Sequence, residues 1–255
     1  MQAHIVNTAT GTVLTVRPEA GPAIVAHVPA QLSGEGSPFN ASAGPVTAAL
    51  ATLAAQINRA DERYTPAARA DKLRAVAAQS VGPVLRKLLD AGRSEQDALN
   101  AADARMREIP AGNMHLRSEL RQNFRSMTIP KQAEIAARGD FEFLAAVMEA
   151  GREAFPNLPA EIFNVIDRRF IIAAHIKRTG LQADHFKSGT ADRPLATGPD
   201  TEAANRAAEL ALHNHELRRE EVAMLEDSVR SIINVVAGTT EVTRDIAFEL
   251  LTVAK

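Results

Sequence analysis

The stretch PAEIFNVIDRRFIIAAHIKRT, Pro159 to Thr179, decides the fold class. At roughly 100° per residue, Ile162, Phe163, Ile166, Phe170, Ile171, Ile172 and Ile176 cover almost the whole circumference of a helix. A helix that is apolar all round has to be enclosed by others, so the core is expected to form around this one. Gly180 should end it, because glycine accepts the left-handed conformation of a helix C-terminus without a Cβ penalty. Residues 180–199 then read as a polar loop, and Asp200 is placed to cap the next helix.

Working outward, the same 3.6-residue periodicity and helix-start signals recur along most of the chain. Helices are predicted over 46–63, 66–79, 82–91, 95–108, 115–125, 130–138, 141–151, 159–179, 200–237 and 240–254. Pro45 and Thr65-Pro66 suit first-turn positions, and Ser94 with Asp97 resembles a capping box. Residues 200–255 are expected to close the chain as a helical hairpin turned at Gly238.

The first 30 residues differ. AHIVN, TVLTVR and AIVAHV are short β-branched runs separated by TATG and PEAGP, which predicts a small β meander over 1–30. QLSGEGSPFNASAG, from Gln31 to Gly44, lacks apolar periodicity and reads as a linker or extended arm over 31–45. The expected architecture is mainly α, a multi-helix bundle-like body over 46–179 carrying this N-terminal meander and extended arm.

Composition narrows the function classes. With 45% hydrophobic residues in 255, the chain can bury a substantial core, and a net charge of -2 steers it to neither nucleic acid nor an anionic membrane. The absence of cysteine removes thiolate ligands, thiol nucleophiles and disulfides, and suits a reducing compartment. The start MQAHIVNTATG does not resemble a signal peptide, and no segment approaches ~20 apolar residues. The expectation is a cytoplasmic protein, or one assembled into a particle made there, with no membrane and no cofactor.

Charge is unevenly spread. Among the first 58 residues only Arg17, Glu19 and Glu35 are charged, against 24% of the whole chain. An exposed segment ordinarily carries more charge for solubility. Either another chain covers residues 1–45, by strand pairing or as an arm laid over a neighbour, or the segment packs on its own helical body.

ALHNHELRREE, Ala211 to Glu221, raises the question of a metal site. Glu209, His213, Glu216 and Glu220 fall on one helix face, and His215 points nearly opposite. Imidazole and carboxylate suit zinc, iron or manganese, but no Glu-x-x-His pair exists elsewhere to complete a bundle site. The solvated flank of a long helix accounts for the same residues. Asn214, Glu221 and Ser228 recur every seven residues in the apolar sector of that helix, at a wet rim of its packing.

Arg117, Arg121 and Arg125 line one helix beside Leu116, Leu120 and Phe124, an arginine ridge on which phosphates or an acidic partner could sit. With one Tyr and no Trp, stacking groups for bases are scarce, so nucleic acid is not favoured. QAEIAARGDFEFLAAVME is not read as a helix-turn-helix, since its second helix offers Asp140, Glu142 and Glu149 and no base. GEGSP lacks the ending of a phosphate-binding loop, and no G-x-S-x-G elbow occurs. Asp167, His175 and Arg178 share a sector of the central helix and are expected as a core polar cluster.

These readings point to a non-catalytic structural or assembly protein whose N-terminal residues 1–45 contact neighbouring subunits, self or other. A virion or phage particle is the analogy. The alternatives are a nucleic-acid or acidic-partner binding module using the arginine ridge, and a metal-dependent enzyme at the His213 face. Deleting residues 1–44 is expected to leave a folded helical body.

Overall fold

The computed structural model describes residues 1–192, 194, 195 and 198–253, leaving aside the side chains of Asp61 and Glu62. The chain is mainly helical with an N-terminal three-stranded antiparallel sheet, in agreement with the fold class expected from sequence. It divides by contacts into two compact units: residues 1–99 with 216–255, and residues 100–215.

Unit 1 begins with β1 (Gln2–Thr8), β2 (Gly11–Arg17) and β3 (Ile24–Pro29), ordered β1-β2-β3. Strand alternation puts Leu14 and Val16 of β2 and Ala26 and Val28 of β3 on one face, and all four are buried. That face packs in one core with Leu50, Leu53 and Ile57 of α1 (Asn40–Arg63). The core is completed by α2 (Pro66–Val76), α3 (Gly82–Met106), α9 (Thr201–Thr240) and α10 (Arg244–Thr252), through Leu73, Leu85, Val229, Ile232 and Leu251.

The segment read as a linker is anchored to this core. Leu32, in a short 3-10 turn, and Phe39 and Ala43, around the start of α1, are fully buried. Apolar side chains isolated in a polar stretch cannot be recognised by periodicity, yet each contributes roughly 1.5–3 kcal/mol when fully buried if it is Leu- or Phe-sized. Deletion of 1–44 would therefore strip the inner face of the sheet and these anchors from the core. The expected folded remainder is corrected accordingly.

Two expected helix breaks, the one before Ser94 and the one at Gly238, are absent. The stretches predicted as 82–91 and 95–108 merge into the single helix α3, which ends at Met106, with Ser94 and Asp97 inside it. Gly92 is buried, and a Cβ there would lie 3.2 Å from Leu225 Cδ2, so the glycine lets α9 approach. Gly238 likewise lies within α9, where a Cβ would collide with Ile24 Cδ1 of β3. The chain turns later, at Glu241, whose φ of 55° is left-handed.

Unit 2 holds α4 (Met114–Ser126), α5 (Ile129–Arg138), α6 (Phe141–Ala150), α7 (Ala160–Thr179) and the single turn α8 (Leu181–Asp184), with the ends of α3 and α9 that fall in 100–215. The helix that opened the sequence reading is α7, and Ile166, Phe170 and Ala174 bury it in the core of this unit. Phe124 packs edge-on against Phe143 and Phe155, with centroids 5.1 and 5.7 Å apart. Because unit 1 has its own larger core, α7 centres one unit and not the whole chain. Gly180 ends α7 with a left-handed φ of 71°, and Asp200 Oδ1 accepts from Ala203 N–H at the start of α9. Of the predicted 180–199 loop, Arg193, Ala196 and Thr197 lie outside the described residues, as do Ala254 of the predicted last helix and Lys255. Among the described residues no helix is long and apolar enough to cross a membrane.

Candidate functional site

The edge of the sheet formed by β1 is built from elementary strand geometry. β1 and β2 meet at a two-residue turn, with Thr8 opposite Gly11 as the first pair. That pair exchanges hydrogen bonds, and every second pair beyond it does the same. Ala3, Ile5 and Asn7 consequently aim their N–H and C=O groups away from β2. At Ala3 the edge is closed by α1: Ala3 N–H donates to Asn58 Oδ1 at 2.8 Å, and Asn58 Nδ2 donates to the Ala3 carbonyl at 2.9 Å. Ile5 and Asn7 continue along the same edge beyond this clamp.

The opposite edge is treated differently. In β3, His27 N–H donates to Ser231 Oγ of α9 at 3.1 Å, and the strand ends at Pro29. Exposed edges are commonly guarded by lysine, proline, a bulge or a covering element. β1, QAHIVNT, has no charge and no proline, and its register with β2 is unbroken from Gln2 to Thr8. The outer face of the sheet is also uncharged over its middle rows, with His4 opposite Thr15 and Val6 opposite Val13. Val6 is 55% exposed.

The arginine ridge is drawn into unit 2. Arg117 is 2% exposed; its Nε donates to Glu142 Oε2 at 3.1 Å and its Nη2 to the Pro110 carbonyl at 3.0 Å. Arg121 Nη1 donates to Glu149 Oε2 at 2.7 Å, and the Arg125 guanidinium lies over the Phe155 ring, 5.1 Å from its centroid. The acids of α6 that argued against a recognition helix are thus the partners of the ridge, and the three guanidinium groups join α4 to α6 and to the turn before α7.

Glu209, His213, Glu216 and Glu220 are all exposed along α9. Among the described residues no group of three or more His, Asp or Glu converges to hold an ion. His215, on the other side of the helix, bonds Asp103 Oδ1 through Nε2 at 2.8 Å. Of the heptad residues, Ser228 is buried and donates to the Met224 carbonyl, while Glu221 accepts from Ser37 Oγ at 3.3 Å.

No family model matches this chain, and neither do any curated protein or solved structure.

One concave surface lies in unit 1, about 330 Å³ between α3 and α9 and lined by Leu89, Arg93, Asp97 and Leu225 among others, and three in unit 2 adjoin α7. One of those in unit 2, about 780 Å³, is bordered by Asp140, Phe141, Arg169, Ile176, Lys177 and Glu209 among others. Several of its polar groups already serve the fold. Arg169 donates to the Ala136 and Gly139 carbonyls that end α5, Asp140 Oδ1 accepts from Phe143 N–H to cap α6, and Lys177 Nζ sits 4.5 Å from the Phe141 centroid. A smaller cavity of about 250 Å³ contains His175, whose pKa is held below its ordinary value by burial and then by the nearby Arg178. Asp167 does not join His175; it forms a two-pronged pair with Arg107 at 2.8 and 3.2 Å. Sequence reasoning missed Asn58 and Arg105 because each is an ordinary polar position until distant elements are placed beside it.

Proposed function

We propose that this chain is a non-catalytic assembly protein whose copies join by antiparallel pairing of β1 with β1 of a second copy. The observation that carries the reading is the edge at Ile5 and Asn7, without charge or proline, next to an edge position that Asn58 closes and across the sheet from an edge where His27 N–H is bonded to Ser231 of α9. The free-arm form of this idea is set aside, since residues 1–45 are rooted in their own core.

A two-fold axis through Val6 pairs Ile5 of each copy with Asn7 of the other. Each such pair exchanges two hydrogen bonds, and Val6 meets its symmetry mate on the exposed face. A backbone hydrogen bond contributes about 0.5–1.5 kcal/mol net, so a contact this small is weak, with a Kd on the order of 1 mM. Contacts of that strength suit repeated use in a large particle such as a virion or phage structure, where neighbours are held at high local concentration. The buried and ion-paired Arg117 favours this reading over acidic-partner binding.

Light scattering over a concentration series tests it. The wild type should approach the mass of two chains in the millimolar range, Val6→Lys should place like charges on the axis and hold the protein monomeric, and Asn7→Pro should do so by removing one outward donor. Asn7 N–H makes no bond within the sheet, so that variant keeps its fold. A wild type that stays monomeric throughout, or variants that associate equally well, would sink the proposal.

A further inference from the structure

We propose that the 250 Å³ cavity of unit 2, walled by α3, α7 and α9, binds a small carboxylate carrying an apolar body. Its titratable lining is wholly basic: Arg105 from α3, His175 and Arg178 from α7, and His215 from α9. Asp103 stands behind His215 and holds that ring by a 2.8 Å hydrogen bond. No ion pair engages Arg105 or Arg178 among the described residues, whereas the neighbouring Arg107, Arg117 and Arg121 are each paired to a carboxylate. Two exposed guanidinium groups and two half-buried imidazoles thus line one cavity whose lining contains no carboxylate.

The rest of the lining decides what kind of anion. Met106, Ile171, Ile172 and Leu212 form an apolar wall, with Ala102, Ala208 and Ala211 leaving room between them. A carboxylate can be gripped by a guanidinium through two parallel N–H···O bonds while its hydrocarbon part covers that wall. Inorganic phosphate would meet the cations and leave the wall bare. The volume admits a single ring or a short chain. Glu108 borders a separate cavity, about 260 Å³, to which Arg178 and Lys177 also contribute, so the cation at Arg178 is reachable from two sides.

The test is NMR titration of the full chain with benzoate, with benzyl alcohol as its uncharged counterpart and inorganic phosphate as the anion without an apolar body. Benzoate should shift the His175 and His215 ring resonances saturably, and both other probes should bind at least tenfold more weakly. Arg178→Ala and Arg105→Ala, exposed positions whose loss leaves the core intact, should each weaken benzoate about tenfold, a loss of 1.4 kcal/mol. Arg178→Lys should recover part of it. Overturning results are no saturable shift, benzyl alcohol binding as well as benzoate, phosphate binding more tightly than benzoate, or unchanged benzoate affinity in both alanine variants.

Discussion

Replacing Arg117 by alanine is the perturbation whose size the structure specifies best. Arg117 lies 2% exposed, between Glu142 at 3.1 Å and Glu149 at 3.8 Å, with the Pro110 carbonyl taking a further N–H. Removing one partner of a buried pair costs about 3–5 kcal/mol because the other charge is left without compensation. Here the glutamates are 33% and 38% exposed and regain water, which moves the cost to the lower end of that range. The orphaned Pro110 carbonyl adds about 1 kcal/mol. Arg117→Ala should therefore destabilise unit 2 by roughly 3–4 kcal/mol, and Arg121→Ala, whose pair is more exposed, by under about 1 kcal/mol. The assay must read the right unit. The chain has no Trp and its one tyrosine, Tyr64, belongs to unit 1, so tyrosine fluorescence contains no probe within unit 2. Hydrogen exchange of amides within residues 100–215 during a urea series reports it directly. A loss below about 1 kcal/mol for Arg117→Ala would refute the assignment of this side chain to a buried ion network.

Two further outcomes follow from packing and charge. Gly238→Ala forces Ile24 to move, and overpacking of roughly 1–3 kcal/mol is partly offset by alanine's helix propensity of about 1 kcal/mol. The net loss of about 1 kcal/mol should shrink when Ile24→Val is added, and a double-mutant cycle with no coupling would rule out the contact. His175, with its folded pKa below the unfolded value of 6.5, binds fewer protons when folded, so it adds stability above that value that is lost as pH falls toward its folded pKa. His175→Gln should flatten this part of the stability curve between neutral and acidic pH, as measured by urea midpoints; an unchanged slope would contradict the burial of the ring.

Elements whose ends are set by local chemistry could be read from the sequence. Thr65-Pro66, Gly180 and Asp200 mark helix ends through backbone effects that need only neighbouring residues, and the alternation in β1 to β3 predicts the meander. The helix break expected between 91 and 95, around Gly92, and the turn expected at Gly238 were misread for a physical reason. A glycine serves a turn and a close helix approach equally well, and the choice was made by Leu225 and Ile24, more than a hundred residues away in the chain. The division into two units crosses α3 and α9, where helix periodicity continues undisturbed and composition does not change. At the candidate sites the sequence showed the low charge of the N-terminal segment but not its clamp by Asn58. It showed the arginine spacing but not Glu142 and Glu149 opposite, and it placed His175 and Arg178 on one helix without the α3 and α9 residues that make a cavity around them.

The edge-pairing account stands or falls on the amides of Ile5 and Asn7. Their hydrogen-exchange rates, followed by NMR as protein concentration is raised into the millimolar range, should slow together while the already bonded amide of Ala3 stays unchanged. Exchange at Ile5 and Asn7 that remains fast at every concentration would contradict it.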